Sequence, residues 1–156
     1  MQEYAFRERH MGTEVAIILI TESETEARKI ATDTFTKIAD AEQVFSRFLP
    51  NSELSKLNTL GTLTVSSQFI EVLKTAINLS RQTEGSFNPL IQVAKAGYKD
   101  DFTKLKDAVQ EKHSEKYNLD LSAIKIDDTT NLVSLDIDQQ LDFGGILKGY
   151  LADKLA

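Results

Sequence analysis

The stretch Ile124-Lys-Ile-Asp-Asp-Thr-Thr-Asn-Leu-Val-Ser-Leu-Asp-Ile-Asp138 decides the fold class. Val133, Leu135 and Ile137 alternate with Ser134, Asp136 and Asp138, the period-two pattern of a strand with one buried face. Ile124 and Ile126 precede it across a run of turn formers, Asp127 to Asn131, so the two segments read as an antiparallel hairpin with a longer loop. The segments around this hairpin are helical in period. Antiparallel strands mixed with helices favour an α+β fold over a parallel winding.

Upstream, Thr13 to Ile20 is apolar and β-branched (Val15, Ile17, Ile18, Ile20) and reads as a buried strand. Ser23 stands three residues before Glu26, a capping-box spacing. It opens a long helix from about Glu24 to Phe48, carried by Ala27, Ile30, Ile38, Ala41, Phe45 and Phe48 and followed by Pro50. A second helix starts near Ser67, places Phe69, Ile70, Leu73, Ala76 and Ile77 on one face, and fades at Gly85. A weaker, charged pattern from Thr103 to Lys116 predicts a short exposed helix. Downstream, Asp142-Phe-Gly-Gly145 leads into a helical pattern with Ile146, Tyr150, Leu151 and Leu155. That pattern stops at Ala156 with no Gly, Asn or Pro to close it. A fraying last helix and the front part of a longer protein both account for this.

The composition sets outer bounds. A chain of 156 residues suits one domain, and 18 Lys plus Arg against 24 Asp plus Glu gives a net charge of −6. That sign argues against a nucleic-acid binder. The longest apolar run, Val15 to Ile20, is far too short for a membrane span, and residues 1–20 lack a signal-peptide pattern. With no cysteine, the chain has no disulfide, thiol chemistry, cysteine-ligated zinc or lipidated N-terminal cysteine. Compartment stays open.

Common site signatures are missing: no G-x-G-x-x-G, P-loop, H-E-x-x-H or G-x-S-x-G occurs. His10 and His113 have no ligand spacing and read as surface histidines, and the mixed charges from Lys95 to Lys116 read as a solvated face. Leu141 to Tyr150 is different. Two glycines at a helix start let the backbone approach a ligand, the free N–H groups there suit an anion, and Lys148 lies within reach of a phosphate. Asp142 would repel bare phosphate, so it points to a hydrogen-bonding role or a nearby cation. A tight turn in which Asp142 only caps the helix explains the same residues. Phe45 to Asn58 leaves a helix through a polar loop, with Phe48 either a core residue or something more. Gly85-Ser-Phe-Asn-Pro89 is a turn, and turn chemistry accounts for it equally well.

Taken in order, His10-Met-Gly-Thr13, Phe45-Ser-Arg-Phe48 continuing into Ser52-Glu-Leu-Ser-Lys-Leu-Asn58, Gly85-Ser-Phe-Asn-Pro89 and Asp142-Phe-Gly-Gly-Ile-Leu-Lys-Gly-Tyr-Leu-Ala-Asp153 resemble the ApbE family of FAD:protein FMN transferases. The resemblance implies an α+β fold, largely antiparallel and T-fold-like, forming a single FAD-binding region over residues 1–156. It implies transfer of FMN from FAD to a threonine hydroxyl of a partner flavoprotein, typically a subunit of a membrane redox complex, with magnesium required. Carried over by position, Met11, Phe48, Ser86, Phe87, Asn88, Asp142 and Lys148 match FAD contacts, and the Gly145 carbonyl matches a magnesium ligand. Phe48 stands where the family often has Tyr, Asn88 where it has Asp and Leu90 where it has Thr. Family members run to roughly twice this length, with further metal ligands, an Asp and a Thr, in the later part. The resemblance therefore implies a front portion that alone transfers little or no FMN. Relatives are often exported and lipid-anchored. Two alternatives are a module that binds or hydrolyses FAD without modifying a protein, and an assembly unit joined through its last helix.

Overall fold

A computed structural model gives the fold and describes residues 1–91 and 118–156. Its chain order is β1 (Gln2–His10), β2 (Thr13–Thr21), α1 (Glu24–Phe45), α2 (Glu53–Leu60), β3 (Thr62–Thr64), α3 (Ser67–Gln82), β4 (Lys125–Asp127), β5 (Leu132–Ser134) and α4 (Leu147–Leu155). Both sheets are antiparallel. β1 and β2 form a two-stranded ribbon with Phe6 opposite Ile17, and β3-β5-β4 form a second sheet in which Val133 faces both Leu63 and Ile126. The α+β expectation holds.

Each helix start follows from its cap. The hydroxyls of Ser23, Ser52 and Ser66 accept the backbone N–H groups of Glu26, Ser55 and Phe69, satisfying donors that a helix leaves open. The capping box at Ser23 is only half made, because the Glu26 carboxylate accepts from the Thr21 hydroxyl at 2.9 Å. α1 ends at Phe45 rather than Phe48. Ser46 turns extended, and its carbonyl accepts the hydroxyls of Ser52 and Ser55 at 2.7 and 3.3 Å, so the polar side chains of the next segment draw the chain out of the helix. That next segment is α2, not a polar loop. It closes on Gly61 in the left-handed region at φ 73°, the conformation glycine adopts most cheaply.

Two further expectations are corrected. β2 is half-buried rather than buried: Val15, Ile17 and Leu19 pack on α1, whereas Ile18 and Ile20 are exposed. Its partner β1 is hidden in the sequence because Glu8 interrupts the face carried by Tyr4, Phe6 and His10, while Glu3, Arg7 and Arg9 line the outer side. The strand after the loop stops at Ser134 rather than running to Asp138. Leu135 donates its N–H to the Gly61 carbonyl at 2.7 Å, after which a turn closes from Gln139 N–H to Asp136 and leaves Ile137 exposed. The helix expected over Thr103–Lys116 and the charge cluster from Lys95 to Lys116 lie outside the described residues.

The main core is organised by three rings. Phe45 stacks on Phe69 with centroids 5.7 Å apart, and Phe143 meets both edge-on at 5.8 and 5.4 Å, arrangements that suit the ring quadrupoles. Leu54, Leu57, Leu73, Leu90, Val133, Leu141, Leu147 and Leu151 complete it. A smaller cluster of Ala31, Phe35 and Ile38 on α1 packs beneath Phe6, Val15, Ile17 and Leu19 of the ribbon. Among the described residues no helix is long and apolar enough to cross a membrane.

Candidate functional site

Phe143 fixes the site because it anchors the Leu141–Gly145 turn in the main core. Leu141 just before it is held by Asn58 of α2, which donates to the Leu141 carbonyl at 2.8 Å and accepts the Leu141 N–H at 2.7 Å. This side-chain pair does the work of a strand pairing, and it joins residues 83 apart in sequence. Asp142 then donates its backbone N–H to the Pro89 carbonyl at 2.7 Å. The glycine turn is thereby tied to α2 and to the 85–89 turn at once.

The Asp142 side chain is 9% exposed. Its Oδ1 accepts the Gly144 N–H at 2.8 Å and its Oδ2 accepts Arg47 Nη1 at 3.2 Å. Asp142 therefore does not cap α4, whose cap position is Ile146 with no side-chain bond; it shapes the turn ahead of the helix. The nearby cation that its charge called for is Arg47, 95 residues away. Arg47 also lies over the Phe48 ring, 4.7 Å from its centroid. Phe48 is 51% exposed and so is not a core residue.

Gly145 faces Phe87. A Cβ built at Gly145 would sit 2.9 Å from Phe87 Cε2, so only a glycine lets the ring lie against this backbone. The Phe87 N–H is held by the Thr83 hydroxyl at 3.2 Å. Asn88 is spent inside the chain: its Oδ1 accepts the Leu90 N–H at 2.9 Å and its Nδ2 donates to the Leu119 carbonyl at 3.1 Å. Ser86 is exposed on the same turn.

Met11 and Lys148 meet on a groove of about 460 Å³ between β2, α1 and α4, lined also by Val15, Ile38 and Leu151. Met11 sits at φ 48°, and Gly12 follows at φ 71°, making the tight turn between β1 and β2. The Met11 N–H donates to the Glu42 carboxylate of α1. Beside it His10 stacks on Phe35, with centroids 5.7 Å apart and its side chain 11% exposed. It is a packed residue rather than a surface one, and His113 lies outside the described residues. Lys148 is in the first turn of α4 and exposed. The far end of α4 is stapled to α3 by Lys154 and Glu71, 2.6 Å apart. The Lys154 and Tyr150 hydrogen bonds hold the Glu71 carboxyl below its ordinary range, while Glu71 holds the Lys154 amine above its own.

Arg47 and Asn58 stand in the sequence motifs without a role there, and Glu42 stands outside them. Each acts on a partner far along the chain, and no local pattern signals that. A magnesium ion at Gly145 would find one carbonyl and the Asp142 carboxylate, which Arg47 and Gly144 already engage. Among the described residues no group of three or more His, Cys, Asp or Glu could hold a metal ion. The donors in hand do not make up a magnesium site, which wants near-octahedral oxygen ligation.

Comparison with known proteins bears on this arrangement. The ApbE family profile matches residues 11–156. The ApbE protein of Thermotoga maritima superposes with a TM-score of 0.79 at 23% identity, covering 99% of this chain and 51% of that one. A variant of the flavin transferase ApbE of Vibrio cholerae gives 0.79 at 22% identity, covering 99% and 52%. The flavinyl transferase ApbE of Pseudomonas stutzeri gives 0.71 at 14% identity, covering 99% and 53%. The chain thus spans about half the length of the solved structures it matches. Comparison with curated proteins finds no match. The turns that meet around Asp142 all fall within the matched residues, and the fold agrees over nearly the whole chain: it belongs to the ApbE family.

Proposed function

We propose that this chain supplies FAD-contacting residues of a flavin transferase, which moves FMN from FAD to a threonine hydroxyl of an acceptor flavoprotein. One observation carries the reading. Arg47–Phe48, Asn58, Phe87–Pro89 and Leu141–Gly145, scattered along the chain, are joined at one place by direct contacts. Family membership and the transferase names of two matched structures support it further.

In this reaction the threonine oxygen bonds to the FMN phosphorus, the bond to AMP breaks, AMP leaves with the electron pair, and the hydroxyl proton passes to solvent. Such a transfer asks mainly for orientation and for neutralised charge on the leaving group. Phe48 offers a ring for stacking and Met11 borders the flavin from the ribbon turn. Ser86 and Phe87 edge the pocket, and Lys148 counters phosphate charge at the start of α4. Asp142 serves the site by holding Arg47 and the glycine turn. Residues 1–156 act as one region in this reading. Magnesium belongs to the proposal with Gly145 as a single carbonyl ligand and the other donors drawn from outside the described residues. The acceptor is a flavoprotein, of the kind found in membrane redox complexes.

A second reading is FAD binding or hydrolysis without protein modification. It draws on Asn88, whose amide is engaged by Leu90 and Leu119 and so turned away from ligand chemistry. Titration of FAD by flavin fluorescence, with and without magnesium, tests both on this chain and on a longer protein that carries it. A threonine-bearing acceptor is then assayed for the mass of covalent FMN. Saturable binding with covalent FMN supports the transferase. Binding with FMN and AMP released and no adduct supports the second reading, and no binding by either protein overturns both.

A further inference from the structure

Phe48 is the anomaly of the connection between α1 and α2. Phe45, three residues earlier, is only 3% exposed, yet Phe48 leaves half its surface open. A lone exposed ring is ordinary on a protein surface. This one is not left loose. Its backbone N–H donates to the Ser46 hydroxyl at 3.3 Å, and the Arg47 guanidinium covers its ring from 4.7 Å. The same guanidinium is 3.2 Å from a carboxylate oxygen of Asp142, which is itself fixed by Gly144 and by the Pro89 carbonyl. Arg47 is only 26% exposed, so its long side chain is held rather than waving in solvent.

A planar guanidinium can lie flat on a ring and point an edge at a carboxylate in one conformation; an ammonium cannot do both. We propose that Arg47 is a positioning residue that ties the Phe48 ring to Asp142, leaving the ring's other face open to a flat heteroaromatic ring of FAD. This rests on the flavin reading above. The isoalloxazine and the adenine share that chemistry, and the test separates them.

FAD, riboflavin and ADP are titrated against the wild-type chain, Arg47→Lys, Phe48→Leu and the double variant, on whichever protein binds FAD. Arg47→Lys should weaken FAD by about five- to tenfold, as expected for loss of a stacked, doubly engaged guanidinium. Phe48→Leu should cost a similar factor, and the double variant little more than either, because the two residues act as a unit. The loss should recur in the riboflavin arm, with loss of the red shift of the bound flavin's visible absorption, if the isoalloxazine is stacked. It should recur in the ADP arm if the adenine is. If Arg47→Lys does not fold, Asp142→Asn carries the same test, since it keeps an acceptor for Gly144 while loosening Arg47. Wild-type affinity in Arg47→Lys, or in Asp142→Asn where that replaces it, overturns the proposal, as do fully additive losses. A wild type that binds no FAD overturns instead the flavin reading on which the proposal stands.

Discussion

The main core and the small cluster on α1 use similar side chains but are closed in different ways. Phe45, Phe69 and Phe143 belong to α1, α3 and the glycine turn, so three separate segments must be in place before that core is filled. Phe35 and Ile38 are covered by the β1–β2 ribbon together with Leu155 of α4, and the ribbon's other face carries exposed Ile18 and Ile20. Arg47, Phe87 and Asp142 stand on the first; Met11 and Lys148 border the second along the groove. The difference teaches where precision is built in. Geometry that must be held within tenths of an ångström is attached to the cross-linked core, and the more open ribbon carries the residues that border a groove.

The sharpest way to break this contrast is to empty each region in turn. Phe143→Ala should cost about 3–5 kcal/mol, because its cavity is walled by helices that cannot collapse into it. It should also dislodge Asp142. Phe35→Ala should sit at the lower end, about 3 kcal/mol or less, since the ribbon can settle onto α1. Urea unfolding of the two variants checks this, and equal losses would break the comparison.

Next in size is the charge pair. Asp142→Ala leaves Arg47 partly buried without this carboxylate and removes the acceptor of the Gly144 N–H, a loss of about 2 kcal/mol. Asp142→Asn keeps the second contact and should recover part of it. Unfolding midpoints for both variants decide, and identical midpoints would show that the Gly144 bond contributes nothing. Smaller again is Gly145→Ala, whose methyl must displace the Phe87 ring; overpacking of this kind costs about 1–2 kcal/mol. Adding Phe87→Leu to that variant should restore some of the loss, and a double variant no better than Gly145→Ala would mean the strain lies elsewhere.

How much of this was legible in sequence follows from how local each signal is. The face of α3 with Phe69, Ile70, Leu73 and Ala76, the start of α1 at Ser23 and the β4–β5 hairpin all announce themselves through residues a few positions apart. β1 does not, because Glu8 breaks the apolar face of Tyr4, Phe6 and His10 and leaves too short an alternation to read. α2 is eight residues with two buried leucines, too short to show a period. Ile137 continues the strand pattern but not the strand, since Leu135 is already bonded to Gly61 and the chain turns after it. At the site, the need for a cation near Asp142 could be read from charge alone. Its identity as Arg47 could not, because a pairing across 95 residues leaves no mark on either neighbourhood.

The smallest expected effect tests how α4 is held between the two regions. Lys154 and Glu71 are half-exposed, so their link should matter only modestly and weaken with salt. Its sign with pH is fixed. Glu71 is lowered from 4.5, first by the Lys154 hydrogen bond and then by that of Tyr150, so its contribution is present above 4.5 and disappears as pH falls through the lowered value. Lys154 is raised from 10.5 by the Glu71 hydrogen bond and charge, so its contribution is present below 10.5 and disappears as pH rises through the raised value. Tyr150 is raised from 10.0 by burial first and Glu71 second, and it too favours the fold on the acid side of that value. The staple should therefore operate across the neutral range. Lys154→Met should lower the thermal midpoint slightly at neutral pH, and the difference from wild type should vanish once Glu71 is protonated. A difference that persists in acid would mean that Lys154 supports α4 through its ammonium over the Tyr150 ring, 5.6 Å from the centroid, rather than through Glu71.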